Sequence, residues 1–266
     1  MKRLFAIALV LVLLFTASAI AEPFRVGMEC GYAPFNWSQV EATEDSVPID
    51  GNQGYAGGYD VEIAKRIAEG LGRELVIVKL EWDGLIPALN AGIIDAVVAG
   101  MSPTEERKLS VLFTDNYYHS DLVIVVRKDG AYANATQLSD FAGARITGQQ
   151  NTFHYTVIDQ IEGVQKMTAM ESFPSMIVAL NAGVIDGYVS ERPGAESACA
   201  ANADLTYVEF GENGFVTSDD DTAIAIAVKL TDTELCDQIN AVLATIDNDT
   251  LSLMTKALAD QPGAAE

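Results

Sequence analysis

Residues 88 to 107 read ALNAGIIDAVVAGMSPTEER, and their punctuation decides the fold. A helix end over 88–91, a turn at Gly92 and an apolar run from Ile93 to Ala99 lead into Gly100-Met101-Ser102-Pro103. From there the pattern predicts a new helix. Ser102 is its N-cap, Pro103 its first helical residue, and Glu105 completes an S-x-x-E capping box. A strand that passes through small residues into a helix start is where α/β proteins receive anions, because free backbone N–H groups gather there. Arg107, one turn in, carries a flat two-pronged guanidinium suited to a carboxylate. Two plainer readings stand beside this one: Ser102 as a cap and nothing more, and Arg107 as a solvated residue paired with Glu105 or Glu106.

An echo strengthens the anion reading. Residues 179–187 read ALNAGVIDG, nearly the ALNAGIIDA of 88–96, and Tyr188-Val189-Ser190-Glu191 follows. A spacing of 91 residues is far too long for a solenoid repeat and points to two similar α/β lobes. The first copy runs toward Ser102 and Arg107, a cationic end; the second runs out at Glu191, an anionic one. Strand ends of opposite charge facing across a cleft would clamp a zwitterion.

The whole chain after its first 21 residues resembles the extracellular solute-binding proteins of family 3, amino-acid receptors of ABC importers. The resemblance is carried in order by Tyr32-Ala33-Pro34-Phe35, Gly57-Gly58-Tyr59-Asp60, Gly100-Met101-Ser102-Pro103-Thr104 with Arg107, Phe113-Thr114-Asp115 with Tyr117-Tyr118, and Asp186 with Glu191. It implies an α/β protein of the two-lobed periplasmic-binding-protein type II fold, two similar lobes joined by two hinge crossings. The lobes are expected over 22–119 and 120–221, with 222–266 returning to the first lobe and ending in helices. By the same resemblance Arg107 holds a ligand α-carboxylate, helped by Ser102 and Thr152, while Glu191 and the Gly100 carbonyl take the α-ammonium. Glu29, Tyr32, Trp37 and Tyr59 would form the side-chain pocket. Two places depart from the family pattern: Glu191 stands where Asp is usual, and Asn151-Thr152-Phe153 stands for Gly-Thr-Thr. Glu29 has two readings of equal weight, a hydrogen-bonded strand-end residue or the partner of a cationic ligand tail. The expected ligand is a polar amino acid, the cationic ones included, and the expected partners are permease subunits, with the receptor a monomer.

Composition limits the alternatives. Residues 1–21 read as a secretory leader: Lys2-Arg3, an apolar run from Leu4 to Phe15, and Ala19-Ile20-Ala21 before the cut. The expected product is exported, periplasmic and without a membrane span. The full chain carries a net charge of −22, and loss of Lys2 and Arg3 makes it −24. Such a surface excludes nucleic acid and anionic membranes as partners. Cys30, Cys199 and Cys236 form no C-x-x-C pattern and the only histidines are His119 and His154, so no metal or other cofactor is expected. No Ser-His-Asp or Cys-His arrangement is visible either. The rival from another class is an enzyme on the same scaffold, a periplasmic cyclohexadienyl dehydratase using Glu29 or Glu191 as general acid.

Overall fold

The computed structural model describes residues 22–246 and 250–263; the expected leader lies outside them. The chain starts with β1 (Phe24–Met28), whose Phe24, Val26 and Met28 are buried. A small antiparallel sheet follows, of β2 (Gly31–Tyr32), β3 (Asn36–Gln39), β4 (Val47–Pro48) and β5 (Tyr55–Gly57) in the order β2-β3-β5-β4. The acidic stretch 38–58 reads as a hairpin-like loop in the sequence, and the structure pairs its two flanks as β3 and β5, with β4 between them in the chain and turns making up the rest. Next come α1 (Tyr59–Leu71), β6 (Leu75–Lys79), α2 (Leu85–Ala91), β7 (Ala96–Val97), the single turn α3 (Glu105–Lys108) and β8 (Val111–His119).

The second sheet begins with β9 (Leu122–Arg127). It buries Val123 and Val125 on one face and Ile124 and Val126 on the other, as the two-residue period of a covered strand requires. Then follow β10 (Arg145–Thr147), α4 (Phe153–Thr156), β11 (Gln165–Lys166), α5 (Phe173–Asn181), β12 (Gly187–Glu191), α6 (Arg192–Ala201) and β13 (Leu205–Val208). The chain returns through α7 (Asp219–Thr222) to β14 (Ala223–Lys229) and closes with α8 (Thr233–Ile246) and α9 (Thr250–Asp260).

The sheet orders are β6-β1-β7-β14-β8 and β11-β10-β12-β9-β13, so each lobe has a mixed five-stranded sheet. β14 reads AIAIAVK; its alternation of small and large apolar residues suits a strand covered on both sides. It pairs antiparallel with both β7 and β8. The two crossings run side by side, with the Ser120 N–H donating to the Thr222 carbonyl at 3.0 Å.

The sequence echo has a structural counterpart. The Arg25 N–H donates to Asp95 Oδ2 at 3.0 Å and its Nε to the Ile93 carbonyl at 2.9 Å. In the other lobe the Arg145 N–H donates to Asp186 Oδ2 at 2.9 Å and its Nη1 to the Val184 carbonyl at 2.8 Å. Each lobe thus anchors the turn after its repeated helix to a strand of its own sheet, β1 in one and β10 in the other, in the same way. Gly92 and Gly183 make that turn with φ of 76° and 68°, a left-handed conformation that suits glycine.

Candidate functional site

The strand ends of the two sheets meet in one seam. From the first lobe come Glu29 and Tyr32 after β1, Gly100 and Ser102 after β7, and Arg107 on α3; from the second come Gln149 and Thr152 after β10 and Glu191 at the end of β12. Carboxyl ends of strands in open α/β sheets are the usual place for ligands. The inner cavity between them measures about 10 Å³, room for about one water. An outer cleft of about 900 Å³ adjoins it, and Trp82, Arg107, Thr152 and Phe153 line both.

Arg107 crosses this seam. Its Nη1 donates to the Ser102 carbonyl and its Nη2 to the Asn151 carbonyl, each at 3.0 Å, and its guanidinium lies 5.0 Å from the Trp82 ring centre. Both carbonyls are neutral, and burial lowers the guanidinium to about 10. Its own lobe therefore brings a desolvated cation with no carboxylate hydrogen-bonded to it among the described residues. Ser102 is not the N-cap expected of it. Thr104 caps α3, accepting from the Arg107 N–H, while the Ser102 hydroxyl donates to the Asp221 carbonyl at 2.9 Å in the returning crossing. The Ser102 carbonyl is drawn into a tight turn with the Thr104 N–H, so the helix starts only after Pro103.

Two carboxyls face the seam. Glu29 Oε2 accepts from Gln149 Nε2 at 3.0 Å; burial raises this acid to about 7 against the pull of that hydrogen bond. Glu191 accepts from the Tyr32 hydroxyl across the seam, and burial raises it to about 8. His154 Nε2 lies 2.9 Å from Glu191 Oε2 but off the direction of a hydrogen bond. Burial first, and Arg107 second, push this imidazole down to about 3, so it stays neutral beside the acid. Neither acid has a lysine or arginine partner among the described residues.

Tyr32 is held flat by Phe173 at the start of α5, with ring centres 4.0 Å apart and an 11° angle between planes. Gly100, with φ of 60°, passes so close beneath it that a Cβ there would stand 3.1 Å from the Tyr32 ring. Behind Gly100 lies a buried network: the Tyr117 hydroxyl donates to Asp60 Oδ1 and Asn36 Nδ2 to Asp60 Oδ2, both at 2.7 Å. The Tyr59 hydroxyl donates to the Tyr117 carbonyl at 2.8 Å. Tyr59 is thus fully buried under the Gly100 turn rather than in the seam. Trp37 also points elsewhere: it lies over Gly57 and lines a groove with Leu253 and Lys256 of α9.

Thr152 is at the seam, where it precedes α4; its hydroxyl donates to the Gln149 carbonyl at 2.7 Å. Asn151 has φ of 55°, a left-handed conformation that asparagine and glycine tolerate best. Gln149, His154 and Phe173 belong to the seam and escaped sequence reasoning. The signal available for His154 was a histidine two residues past a predicted helix start, and for Phe173 a Ser-Phe-Pro helix opening. Among the described residues no cluster of His, Cys, Asp and Glu has the arrangement of a metal site, and Cys30, Cys199 and Cys236 are unpaired thiols.

The chain and its fold have known relatives. The family model for bacterial extracellular solute-binding proteins, family 3, matches residues 24–257. The ABC transporter arginine-binding protein 1 of Escherichia coli K12 is 28% identical over 94% of this chain and 95% of its own. The L-arginine-binding protein of Pseudomonas aeruginosa PAO1 is 30% identical over 85% of this chain and 83% of its own. Among solved structures, an amino acid ABC transporter substrate-binding protein from Streptococcus pneumoniae bound to L-arginine superposes with a TM-score of 0.77. It is 26% identical and the match covers 90% of this chain and 94% of the other.

Proposed function

The chain belongs to the bacterial extracellular solute-binding proteins, family 3, and from that premise we propose that it captures a cationic amino acid between its lobes for delivery to the permease of an ABC importer. The family is one of binding proteins, and the dehydratase reading is set aside. The observation that carries the proposal is the charge inventory of the seam: two buried carboxyls, Glu29 and Glu191, and one half-buried guanidinium, Arg107. With both acids ionised the site is one negative charge in excess. An amino acid with a cationic side chain, one positive charge in excess, complements it.

In this reading Arg107 takes the α-carboxylate, with Ser102 and the chain at Thr152 beside it. Glu191 takes the α-ammonium together with the Gly100 carbonyl, displacing the Tyr32 hydroxyl. Glu29 takes the side-chain cation, and Tyr32 stacks on the aliphatic stem. The inner cavity is too small for an amino acid, so capture requires the lobes, 22–119 with 222–263 against 120–221, to part at the two crossings and close again. Relatives named for arginine and histidine support the cationic class. The receptor would act as a periplasmic monomer.

The test is a thermal-shift screen of refolded protein against the common amino acids. A ligand at about 100 times its Kd adds about 2.7 kcal/mol, a rise of several degrees for a chain of this size. A rise confined to arginine, lysine or histidine is expected. A rise with neutral amino acids alone returns Glu29 to a structural role, and no rise with any of them overturns the proposal.

A further inference from the structure

Three successive side-chain amides of the second lobe reach acids of the first. Gln149 Nε2 donates to Glu29 Oε2 at 3.0 Å, Gln150 Nε2 to Asp83 Oδ2 at 2.7 Å, and Asn151 Nδ2 to Asp83 Oδ1 at 2.8 Å. Glu29 is buried and belongs to the ligand site already described. Asp83 is exposed at the cleft mouth, and the binding roles above do not use it.

Both sides of the Asp83 contact are anchored to their own lobe. Asp83 sits in a 3-10 turn over Trp82–Gly84, pinned by the buried Trp82 and by the Gly84 N–H donating to the Glu81 carbonyl at 2.9 Å. The Gln150 N–H donates to the Met170 carbonyl at 2.8 Å, and Gln149 Nε2 also reaches the Glu171 carbonyl at 3.0 Å. The loop therefore moves with the second lobe and the turn with the first. The loop also feeds the site directly, because the Asn151 carbonyl accepts from Arg107 Nη2.

We propose that Asp83 is a positioning residue that latches the closed form, its two carboxylate oxygens each taking one amide from Gln150 and Asn151 at the cleft mouth. The latch joins two bodies that separate when the cleft opens, so its hydrogen bonds exist only in the closed state. Removing them shifts the open–closed equilibrium toward open without altering either lobe. Because the contact is exposed, the effect is moderate: loss of both bonds is expected to change that equilibrium roughly ten-fold. The same factor would appear in the dissociation rate of whatever the cleft holds, since release requires opening.

The deciding measurement is small-angle X-ray scattering on refolded, ligand-free protein, where the identity of the ligand plays no part. Asp83→Ala is expected to raise the radius of gyration, and Asp83→Asn, which keeps one acceptor oxygen, to raise it less. Asn151→Gly removes one amide from the other side and suits the left-handed backbone; it is expected to move in the same direction and to add nothing beyond Asp83→Ala when combined with it. A second measurement, L-arginine dissociation by stopped flow, is expected to speed about ten-fold in Asp83→Ala with association little changed. A ligand-free radius of gyration unaltered in both Asp83→Ala and Asn151→Gly overturns the latch. Absence of L-arginine binding in the unsubstituted protein would count against the ligand reading and leave the scattering result to decide this one.

Discussion

Arg107 donates to one carbonyl from each lobe and lies against Trp82, so its half-buried guanidinium has no carboxylate hydrogen-bonded to it among the described residues. If it holds the ligand carboxylate, Arg107→Ala should weaken L-arginine binding by about 2–5 kcal/mol, the cost of leaving a desolvated charge unpaired. Titration calorimetry checks this, and an affinity within two-fold of the original would remove Arg107 from the site. Charged residues at strand ends were the legible part of the site. Glu29 and Glu191 stand at the ends of apolar strands and Arg107 on the helical turn past another, where a charged side chain is costly to cover and therefore conspicuous. Aromatic directions were not legible. Trp37 and Tyr59 stand in the right motifs, but Trp37 turns toward α9 and Tyr59 lies under the Gly100 turn. A motif fixes where a backbone goes, and packing on the far side decides where a ring goes. Gln149 and Asp83 were illegible for a related reason: their importance lies in partners 120 and 67 or 68 residues away in sequence.

At the scale of elements, α1 shows how closely its two ends are specified. Its N-cap Gly58 has φ of 123°, and a Cβ there would stand 2.3 Å from the Phe35 carbonyl oxygen, a backbone atom that cannot move aside. Its C-cap Gly72 has φ of 63° with open space around it. Gly72→Ala should therefore cost about 1 kcal/mol, the price of a left-handed alanine, and Gly58→Ala distinctly more. Urea unfolding of both variants compares them; equal midpoints would contradict the packing argument. The periodic helix over 59–71 and the strands over 24–28 and 75–79 were readable to the residue, because a core face repeats along them. The lengths of the helices beside the cleft were not, although Thr152 does precede α4 as expected. Sequence predicts a helix over 153–161, yet α4 ends at Thr156 and continues as a 3-10 turn over Val157–Gln160. The helix predicted from Ser102 shrinks likewise to the single turn of α3. Both segments bend to bring polar groups to the seam, and tertiary contacts there outweigh local propensity.

At the scale of the molecule, the buried acids link stability to pH. The carboxyls of Glu29 and Glu191, at about 7 and about 8 in the fold, keep protons that an unfolded chain releases near 4.5. Their contribution is complete below that value and is lost as pH rises through 7 and 8. His154, at about 3 in the fold, is neutral both folded and unfolded above about 6.5, so it does not offset the acids there. Ligand-free protein should lose stability between pH 6.5 and 8.5, by up to about 1.4 kcal/mol per pH unit for each proton, while a cationic ligand binds more tightly over the same range. Urea midpoints across that range check it, and Glu191→Gln should flatten the decline; an unchanged slope in the variant would clear Glu191. Two-lobed organisation was legible because the ALNAG echo recurs with the same arginine–aspartate anchoring in both halves. The crossings are stitched together by the Ser120–Thr222 hydrogen bond, and β8 and β14 stay paired up to His119 and Ala223 beside it. Two ribbons bonded edge to edge resist shear and torsion and yield to flexure across their common plane. Lobes that part at these crossings, as proposed above, would swing like a book about one axis, parting Arg107 from Asn151 and Tyr32 from Glu191 in a single stroke and returning them in register.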